Sequence, residues 1–364
     1  MLVYLLQIGA IALFALVVKP STAKRVNRTI YVCIIGAMLV AVSAVRSYTV
    51  GVDTEQFCRA YMRIGTEGAA AFGLERYEPL FTGLCLVLNS ISKNYQLLIV
   101  ASTALSTIPI VRLVYKCSQS IPFSLFLYIT LNLYFNSMNI MRQAIAIGII
   151  ALAIPKLFKG KFLPFIVAVA IATLFHQSAP VALILIPLSK IDFKGRTFAV
   201  YLLAAVLIFI FSTPIVRVAS SLLGRDVLYN DAFTGSNYFG ALIQAAVALV
   251  CCGVTSNYLG ISRRDGKEEQ SDSLLQHAMM LWLLFSVFGM QVEIVGRLRF
   301  YFATFAILAI PAAISRAPKP DCRLLNLMTG AATLLYFLVI GIARPEWFGV
   351  IPYVADLGNV LSIF

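Results

Sequence analysis

The chain has 364 residues, of which 60% are hydrophobic and only 12% are charged, and its mean hydropathy is +0.88. Long apolar runs recur along it, and about 20 apolar residues cross a hydrocarbon core as a helix, so a soluble two-domain protein is excluded. The net charge of +13 does not predict a nucleic-acid partner, because the basic residues collect in short connections between runs. The seven cysteines show no metal-ligand spacing and no disulfide framework.

The apolar runs predict an all-α, polytopic membrane helical bundle that forms a single domain over residues 1–364. The candidate spans are 2–18, 29–45, 79–92, 96–115, 122–137, 140–155, 162–175, 179–189, 197–212, 238–254, 274–292, 298–315 and 325–343. Three runs separate the basic residues near Arg28 from those near Arg112. If both basic connections are cytoplasmic, the chain between them must cross the membrane an even number of times, so three full spans do not fit. A re-entrant segment at the short run 79–92, or a break at Pro109 in the next run, would resolve the count and leave about 12 spans.

The basic connections are predicted to be cytoplasmic, and the other connections external. The cytoplasmic set carries Lys19/Lys24/Arg25/Arg28, Lys156/Lys159/Lys161, Lys190/Lys194/Arg196, Arg263/Arg264/Lys267 and Arg316/Lys319/Arg323. The external loops 46–78 and 213–237 mix both signs of charge with tyrosines and amides. That composition suits a sugar ligand, and it is equally typical of an ordinary solvated loop.

Ionisable residues at the external ends of spans are the candidates for function, because a charge at membrane depth costs several kcal/mol unless it faces a cavity or a partner. Arg142 follows Asn139 at such an end, and its guanidinium could fork onto phosphate oxygens or extend to the interface. The neighbouring Asn136, Asn139 and Gln143 favour a polar cavity. His176 could exchange a proton near neutral pH or serve as a hydrogen-bonded helix end.

Further candidates lie in three other stretches. Arg297 and Arg299 follow Glu293, which could pair with Arg297 at a spacing of one helical turn and leave Arg299 for an anion. Asp53 could bind a sugar hydroxyl, act as a base or pair with Arg46. Glu75, Arg76 and Glu78 offer the same chemistry. A metal site from Asp53, Glu55 and Glu78 has no supporting spacing, and for His277 we favour a structural role.

Six stretches resemble the EpsG family and the Wzy-type O-antigen and exopolysaccharide polymerases. They are Val50-Gly-Val-Asp53-Thr54, Glu78-Pro-Leu-Phe81, Asn139-Ile-Met-Arg142-Gln143-Ala144, Phe175-His-Gln-Ser-Ala179, Gly296-Arg-Leu-Arg-Phe-Tyr301 and Trp347 with Pro352-Tyr353. The most specific element is Arg-Gln-x-x-Ala followed about thirty residues later by Phe-His-x-Ser.

The resemblance implies a bacterial inner-membrane, multi-pass polymerase that is active at the periplasmic face. It would join undecaprenyl-diphosphate-linked oligosaccharide repeat units into O-antigen, capsule or exopolysaccharide, as a metal-independent, inverting glycosyltransferase similar to the lipid-linked C-type enzymes. The catalytic residues would be Arg142, His176 and Asp53, and the substrate would be bound by Arg297, Arg299, Gln143, Glu78 and Tyr301. The resemblance implies no cofactor; besides its substrate, membrane lipid and a chain-length regulator are the expected partners.

A flippase or transporter of lipid-linked glycans, or of another anion, is the alternative. It also needs arginines in a cavity, but it needs no base. A flippase should carry charges through the midplane and show related halves, whereas the candidates here lie near one face and no repeat is evident.

Overall fold

A computed structural model describes residues 1–20, 25–74, 77–222, 238–259 and 270–363, with the backbone alone at 212, 213, 215–222 and 270. The α-helices of these residues are, in chain order, α1 (Leu2–Val18), α2 (Arg25–Ala44), α3 (Thr54–Glu67), α4 (Ala71–Leu74), α5 (Pro79–Ile91), α6 (Gln96–Cys117), α7 (Ile121–Thr130), α8 (Leu133–Asn139), α9 (Met141–Leu157), α10 (Phe162–Thr173), α11 (Leu185–Leu188), α12 (Gly195–Leu222), α13 (Tyr238–Leu259), α14 (Gln270–Phe288), α15 (Glu293–Gly296), α16 (Arg299–Ala303), α17 (Ala306–Arg316), α18 (Lys319–Ala343) and α19 (Leu357–Leu361). Short 3₁₀ turns add Gly68–Ala70, Ala179–Ile184 and Pro345–Trp347. One isolated β-bridge joins Arg46 to Ala355.

The predicted all-α class is confirmed, and helices occupy the predicted apolar runs. Among the described residues, α2, α6, α13 and α18 are long and apolar enough to cross a membrane; α15 to α17, bent by 48° at a break, would make a fifth span. The other apolar helices are shorter, so the total of about 12 spans stays a prediction. With 13 residues, α5 rises about 20 Å, less than the roughly 30 Å of a hydrocarbon core.

The described chain divides into two compact units, and the first comprises Met1–Leu157, Lys161–Pro180 and Asn326–Phe364. In this unit α6 packs against both α2 and α9, and α9 packs against α10. Helices α2 and α6 are antiparallel: Gln96 at the start of α6 donates to the carbonyl of Ala44, and Arg28 near the start of α2 donates to the carbonyl of Tyr115, both at 2.8 Å. The unit therefore has one end marked by Gln96 and an opposite end marked by Arg28.

The predicted external loop 46–78 folds largely as helix at the Gln96 end. Helix α3 is amphipathic and turns Phe57, Tyr61 and Ile64 inward onto α5, while its charged face stays exposed. The side chain of Asn89 in α5 donates to the carbonyl of Tyr61 at 2.8 Å, and the Tyr61 hydroxyl donates to the carbonyl of Ser92 at 2.6 Å. This packing fixes the position of α5 against α3.

The second unit comprises Phe158–Gly160 and Val181–Leu325, with α14 packed against α12, α13 and α16. His277 is buried in it, with its two ring nitrogens 2.9 Å from the Tyr201 hydroxyl and from the carbonyl of Ile191. These bonds give His277 the structural role expected from its sequence position. Of the predicted loop 213–237, residues 213–222 lie in α12 and 223–237 lie outside the described residues.

Candidate active site

Glu78 is the centre of a charged cluster in the first unit. It is the N-cap residue of α5, in extended conformation with ψ 148°, and Pro79 occupies the first helical position. Proline at that position fixes φ and needs no N–H partner, and it holds the preceding residue extended. The amide of Leu80 donates to the carbonyl of Leu174 at 2.9 Å. The start of α5 is therefore tied to the end of α10, and the carboxylate of Glu78 is held in one place.

The carboxylate of Glu78 binds two of the predicted catalytic residues. Its Oε2 accepts a hydrogen bond from Nη1 of Arg142, and its Oε1 lies 3.2 Å from Nδ1 of His176. The backbone amide of Gln177 also donates to Oε1, at 3.1 Å. Three segments that are far apart in sequence, around residues 78, 142 and 176, thus meet at one carboxylate.

Arg142 is the second residue of α9 and lies beside two aromatic rings. Its guanidinium carbon is 4.9 Å from the ring centroid of Tyr77 and 5.7 Å from that of Phe57. Its side chain is 23% exposed, against 11% for Glu78. The two rings, whose centroids are 6.4 Å apart, contact the cation from one side and the carboxylate binds it as well, so Arg142 is ordered before any ligand arrives.

The hydrogen bond with His176 and the charge of Arg142 keep Glu78 ionised. Burial on its own raises the pKa of the Glu78 carboxyl, but the hydrogen bond with His176, the charge of Arg142 and the amide of Gln177 lower it, and the net result is a pKa of about 2. An ionised carboxylate only accepts hydrogen bonds. The contact with His176 therefore requires a ring proton on Nδ1, which donates to the carboxylate.

Asp53 lies on a turn that is anchored to the segment before Arg142. The side chain of Asn139 accepts a hydrogen bond from the amide of Val52 and donates one to the carbonyl of Phe135. The amide of Gly51 donates to the carbonyl of Gly349 at 2.8 Å. This bond and the bond of Val52 to Asn139 together join three of the stretches that carry the family resemblance. Asp53 follows as the half-buried N-cap residue of α3, without a side-chain capping bond.

Gly51 is required for this turn because its φ is +105°, and a Cβ there would lie 2.5 Å from Oγ1 of Thr54. The pairing of Asp53 with Arg46 that the sequence allowed is not found among the described residues. Arg46 is buried and donates instead to the carbonyl and hydroxyl of Ser43, to Thr103 and to the carbonyl of Met138. Arg46 thus holds α2, α6 and the end of α8 together.

The remaining predicted site residues occupy different places. Gln143 is buried in the first unit, whereas Arg297, Arg299 and Tyr301 belong to the second unit. Arg297 is exposed and Tyr301 is buried. Arg299 is half-buried, donates to the carbonyl of Gly296 at 3.1 Å and lies over the ring of Phe300 at 4.7 Å.

Sequence reasoning missed two kinds of contributor. The rings of Phe57 and Tyr77 belong to a stretch that the sequence indicates only as a loop, although the amphipathic pattern of α3 does predict that Phe57 faces inward. In sequence, Asn139 indicates a polar cavity, whereas in the structure its side chain binds the backbone of Val52 and Phe135. Glu75 and Arg76 lie outside the described residues. Within the described ranges, no three His, Cys, Asp or Glu side chains are grouped as a metal site requires.

Comparison with known proteins supports the resemblance seen in the sequence. The model of the EpsG family matches residues 29–355, which is most of the chain. None of the curated proteins or solved structures compared with the chain matches it. The matched range includes Glu78, Arg142 and His176, as well as the turn at Gly51. The chain therefore belongs to the EpsG family, a Wzy-like family of polysaccharide polymerases in the broad sense, and its apolar helices make it a membrane protein.

Proposed function

We propose that this protein polymerises undecaprenyl-diphosphate-linked oligosaccharide repeat units at the periplasmic face of the bacterial inner membrane. The observation that carries the proposal is the carboxylate of Glu78, which binds the guanidinium of Arg142 on one oxygen and the ring of His176 on the other. This arrangement joins a cation suited to a diphosphate with a base suited to a hydroxyl. Transfer of a glycan from a lipid diphosphate to a sugar needs both.

The reaction breaks one bond and forms another at the anomeric carbon of the growing glycan. A hydroxyl at the non-reducing end of the incoming lipid-linked repeat unit attacks this carbon from the side opposite the diphosphate, so the configuration inverts. The bond to the diphosphate oxygen breaks, and undecaprenyl diphosphate leaves with the bonding electron pair. The hydroxyl proton passes to a base of the protein.

Arg142 would stabilise the leaving diphosphate. Negative charge on the bridging oxygen grows as the bond breaks, and a donor already in place is worth about 2.7–4 kcal/mol at such a position. Arg142 uses one nitrogen for Glu78, and a guanidinium has five N–H donors. The resting ion pair therefore orders the side chain and leaves donors for the phosphate. Because arginine supplies positive charge at the diphosphate, we propose that the reaction needs no divalent metal ion.

His176 is the better of the two candidate bases. Its Nδ1 proton is directed at an ionised Glu78, which leaves Nε2 to accept a proton and stabilises the imidazolium that results. A positioned base of this kind contributes about 10²- to 10⁴-fold. Asp53 has no comparable partner among the described residues, and we assign it to binding the sugars. For Arg297 and Arg299 of the second unit, binding of a lipid diphosphate stays a prediction.

The test uses the lipid-linked oligosaccharide that accumulates in host cells lacking this protein, labelled with a fluorophore. Purified full-length protein in detergent should convert it to a ladder of longer products without nucleotide, and should release undecaprenyl diphosphate. The ladder of products should also form when a metal chelator is present. Arg142→Ala should reduce its rate by at least about a hundredfold.

Arg59→Ala is the matched control. Arg59 also pairs with a carboxylate, that of Glu55 at 2.6 Å, but it is 68% exposed on the outer face of α3, so the variant should keep the wild-type rate. A folded wild-type protein that leaves the substrate unchanged would contradict the proposal. Movement of the same lipid across vesicles by that protein would instead support the transporter alternative.

A further inference from the structure

Charge is distributed unequally between the two ends of the first unit. The Gln96 end, where Glu78 lies, mixes both signs. At the opposite end, the described residues of this unit contribute cations only: Lys19, Arg25, Arg28, Arg112, Lys116, Lys156 and Lys161. The carboxylates of the described part of the unit all lie at the Gln96 end: Asp53, Glu55, Glu67, Glu78, Glu346 and Asp356. The cations at the Arg28 end therefore lack a carboxylate partner within this part of the chain.

An apolar groove of about 430 Å³ opens between α2 and α6 and ends at these cations. Its walls are formed by side chains such as Val32, Ala37, Val40 and Ile108, and Arg112 and Tyr115 lie at its polar end. From Thr29 to Val40 the groove follows α2 for about 16 Å. Its volume falls within the range of about 300–1,000 Å³ that is usual for ligand sites.

The cations at the polar end of the groove are accessible. Arg112 is exposed and makes no hydrogen bond or ion pair with the described residues. Arg28 donates to the carbonyl of Tyr115 at 2.8 Å and lies over its ring at 5.4 Å. A second cavity of about 480 Å³ lies beside Arg28, lined by Lys19, Arg28, Ser118, Gln119 and Ser120 among others. Cations and hydroxyls thus surround the end of an apolar channel.

We propose that this groove binds an anionic phospholipid, with one acyl chain along α2 and α6 and the phosphate against Arg112 and Arg28. Basic pockets between membrane helices bind anionic headgroups because the phosphate offsets charges that the protein leaves unpaired. A zwitterionic lipid carries its own cation and offsets less charge, and a free phosphate gains nothing from the apolar walls. The site is separate from the Glu78 cluster, since Arg28 and Gln96 mark opposite ends of the unit.

The test compares phosphatidylglycerol with phosphatidylcholine, added at equal concentrations to the purified full-length protein in detergent. Phosphatidylglycerol should raise the thermal unfolding midpoint more than phosphatidylcholine does. Arg112→Gln should lose at least half of that difference, and its folding should be unaffected because the side chain is exposed and unbonded among the described residues. Lys93→Gln, which removes an exposed cation at the Gln96 end, is the matched control and should keep the full difference.

Cys33 provides a second measurement that needs no change in the protein. It is exposed and lines the groove, so phosphatidylglycerol should slow its modification by a thiol reagent at least severalfold more than phosphatidylcholine does. Equal protection by the two lipids would overturn the proposal, as would an Arg112→Gln variant with the full wild-type preference. An equal midpoint shift from glycerophosphoglycerol, which is the headgroup without acyl chains, would show an anion site and no lipid site.

Discussion

Replacing Glu78 with glutamine is the sharpest test of the charged cluster, because it preserves shape and removes one charge. The amide oxygen of the new side chain can still accept a hydrogen bond, from His176 or from Arg142, but the cation of Arg142 loses its partner in a position that is only 23% exposed. The imidazolium formed during proton transfer would lose its counter-charge as well. Stability and rate should therefore both fall.

The size of the stability effect follows from the pKa of Glu78. That pKa is about 2 in the folded protein against an ordinary value of 4.5, which corresponds to about 3 kcal/mol of interaction with the ionised form; partial exposure of Arg142 and His176 reduces it to about 2–3 kcal/mol. Because folding depresses the pKa, this contribution is fully present above pH 4.5. It is lost as the pH falls through the interval between 4.5 and about 2.

The assay is unfolding in detergent, with wild type and Glu78→Gln compared from about pH 7 down to about pH 3. The variant should be less stable by about 2–3 kcal/mol at neutral pH, and the difference should shrink below pH 4.5. In the glycan assay at neutral pH, the folded variant should be at least about a hundredfold slower. A stability difference that stays constant over the whole pH range would refute the assignment of a depressed pKa to Glu78, and a wild-type rate would remove the cluster from the mechanism.

Two further predictions concern the base and the turn that precedes α3. If His176 is the base, His176→Ala should lower the single-turnover rate about 10²- to 10⁴-fold, whereas Asp53→Asn should lower it only severalfold; the reverse order would make Asp53 the base. Gly51→Ala should lower the free energy of unfolding by about 1–3 kcal/mol, because its φ of +105° and the contact with Thr54 are both unfavourable for a side chain. Gly73→Ala is the control, since nothing lies within 4 Å of a Cβ there, and equal stability of the two variants would contradict this account.

The sequence predicts the longer apolar helices well, because each is an apolar run interrupted by basic or proline-containing connections. It does not predict how many cross the membrane, since short helices such as α5 obey the same composition as full spans. It also describes 46–78 only as a loop, although the amphipathic spacing of Phe57, Tyr61 and Ile64 was sufficient to predict α3. The local sequence pattern thus predicts that a segment is helical, but it does not determine whether that helix spans the membrane.

The candidate site, like the fold, could be predicted from the sequence only in part. Arg142 and His176 could be selected individually, because a charge between apolar runs is costly and therefore informative. Their meeting at Glu78 could not be predicted, because it depends on contacts between segments that are 64 and 98 residues apart. For Arg46 the same reasoning indicated a charged loop residue, whereas the side chain is buried and bound by carbonyl and hydroxyl oxygens. An arginine at the end of a span can stabilise the fold or bind a ligand. The groups that accept its hydrogen bonds distinguish these two roles.

The geometry also refines the role of Glu78, which the sequence grouped with the substrate-binding residues. A carboxylate offers about four acceptor positions, and Arg142, His176 and the amide of Gln177 occupy three of them. Little of Glu78 remains for a sugar hydroxyl, so we infer that it acts mainly by positioning its two neighbours. In the proposed mechanism, the same carboxylate would orient the cation toward the leaving group and hold the Nδ1 proton of the base. Loss of Glu78 should therefore affect the chemical step far more than the binding of the lipid-linked substrate.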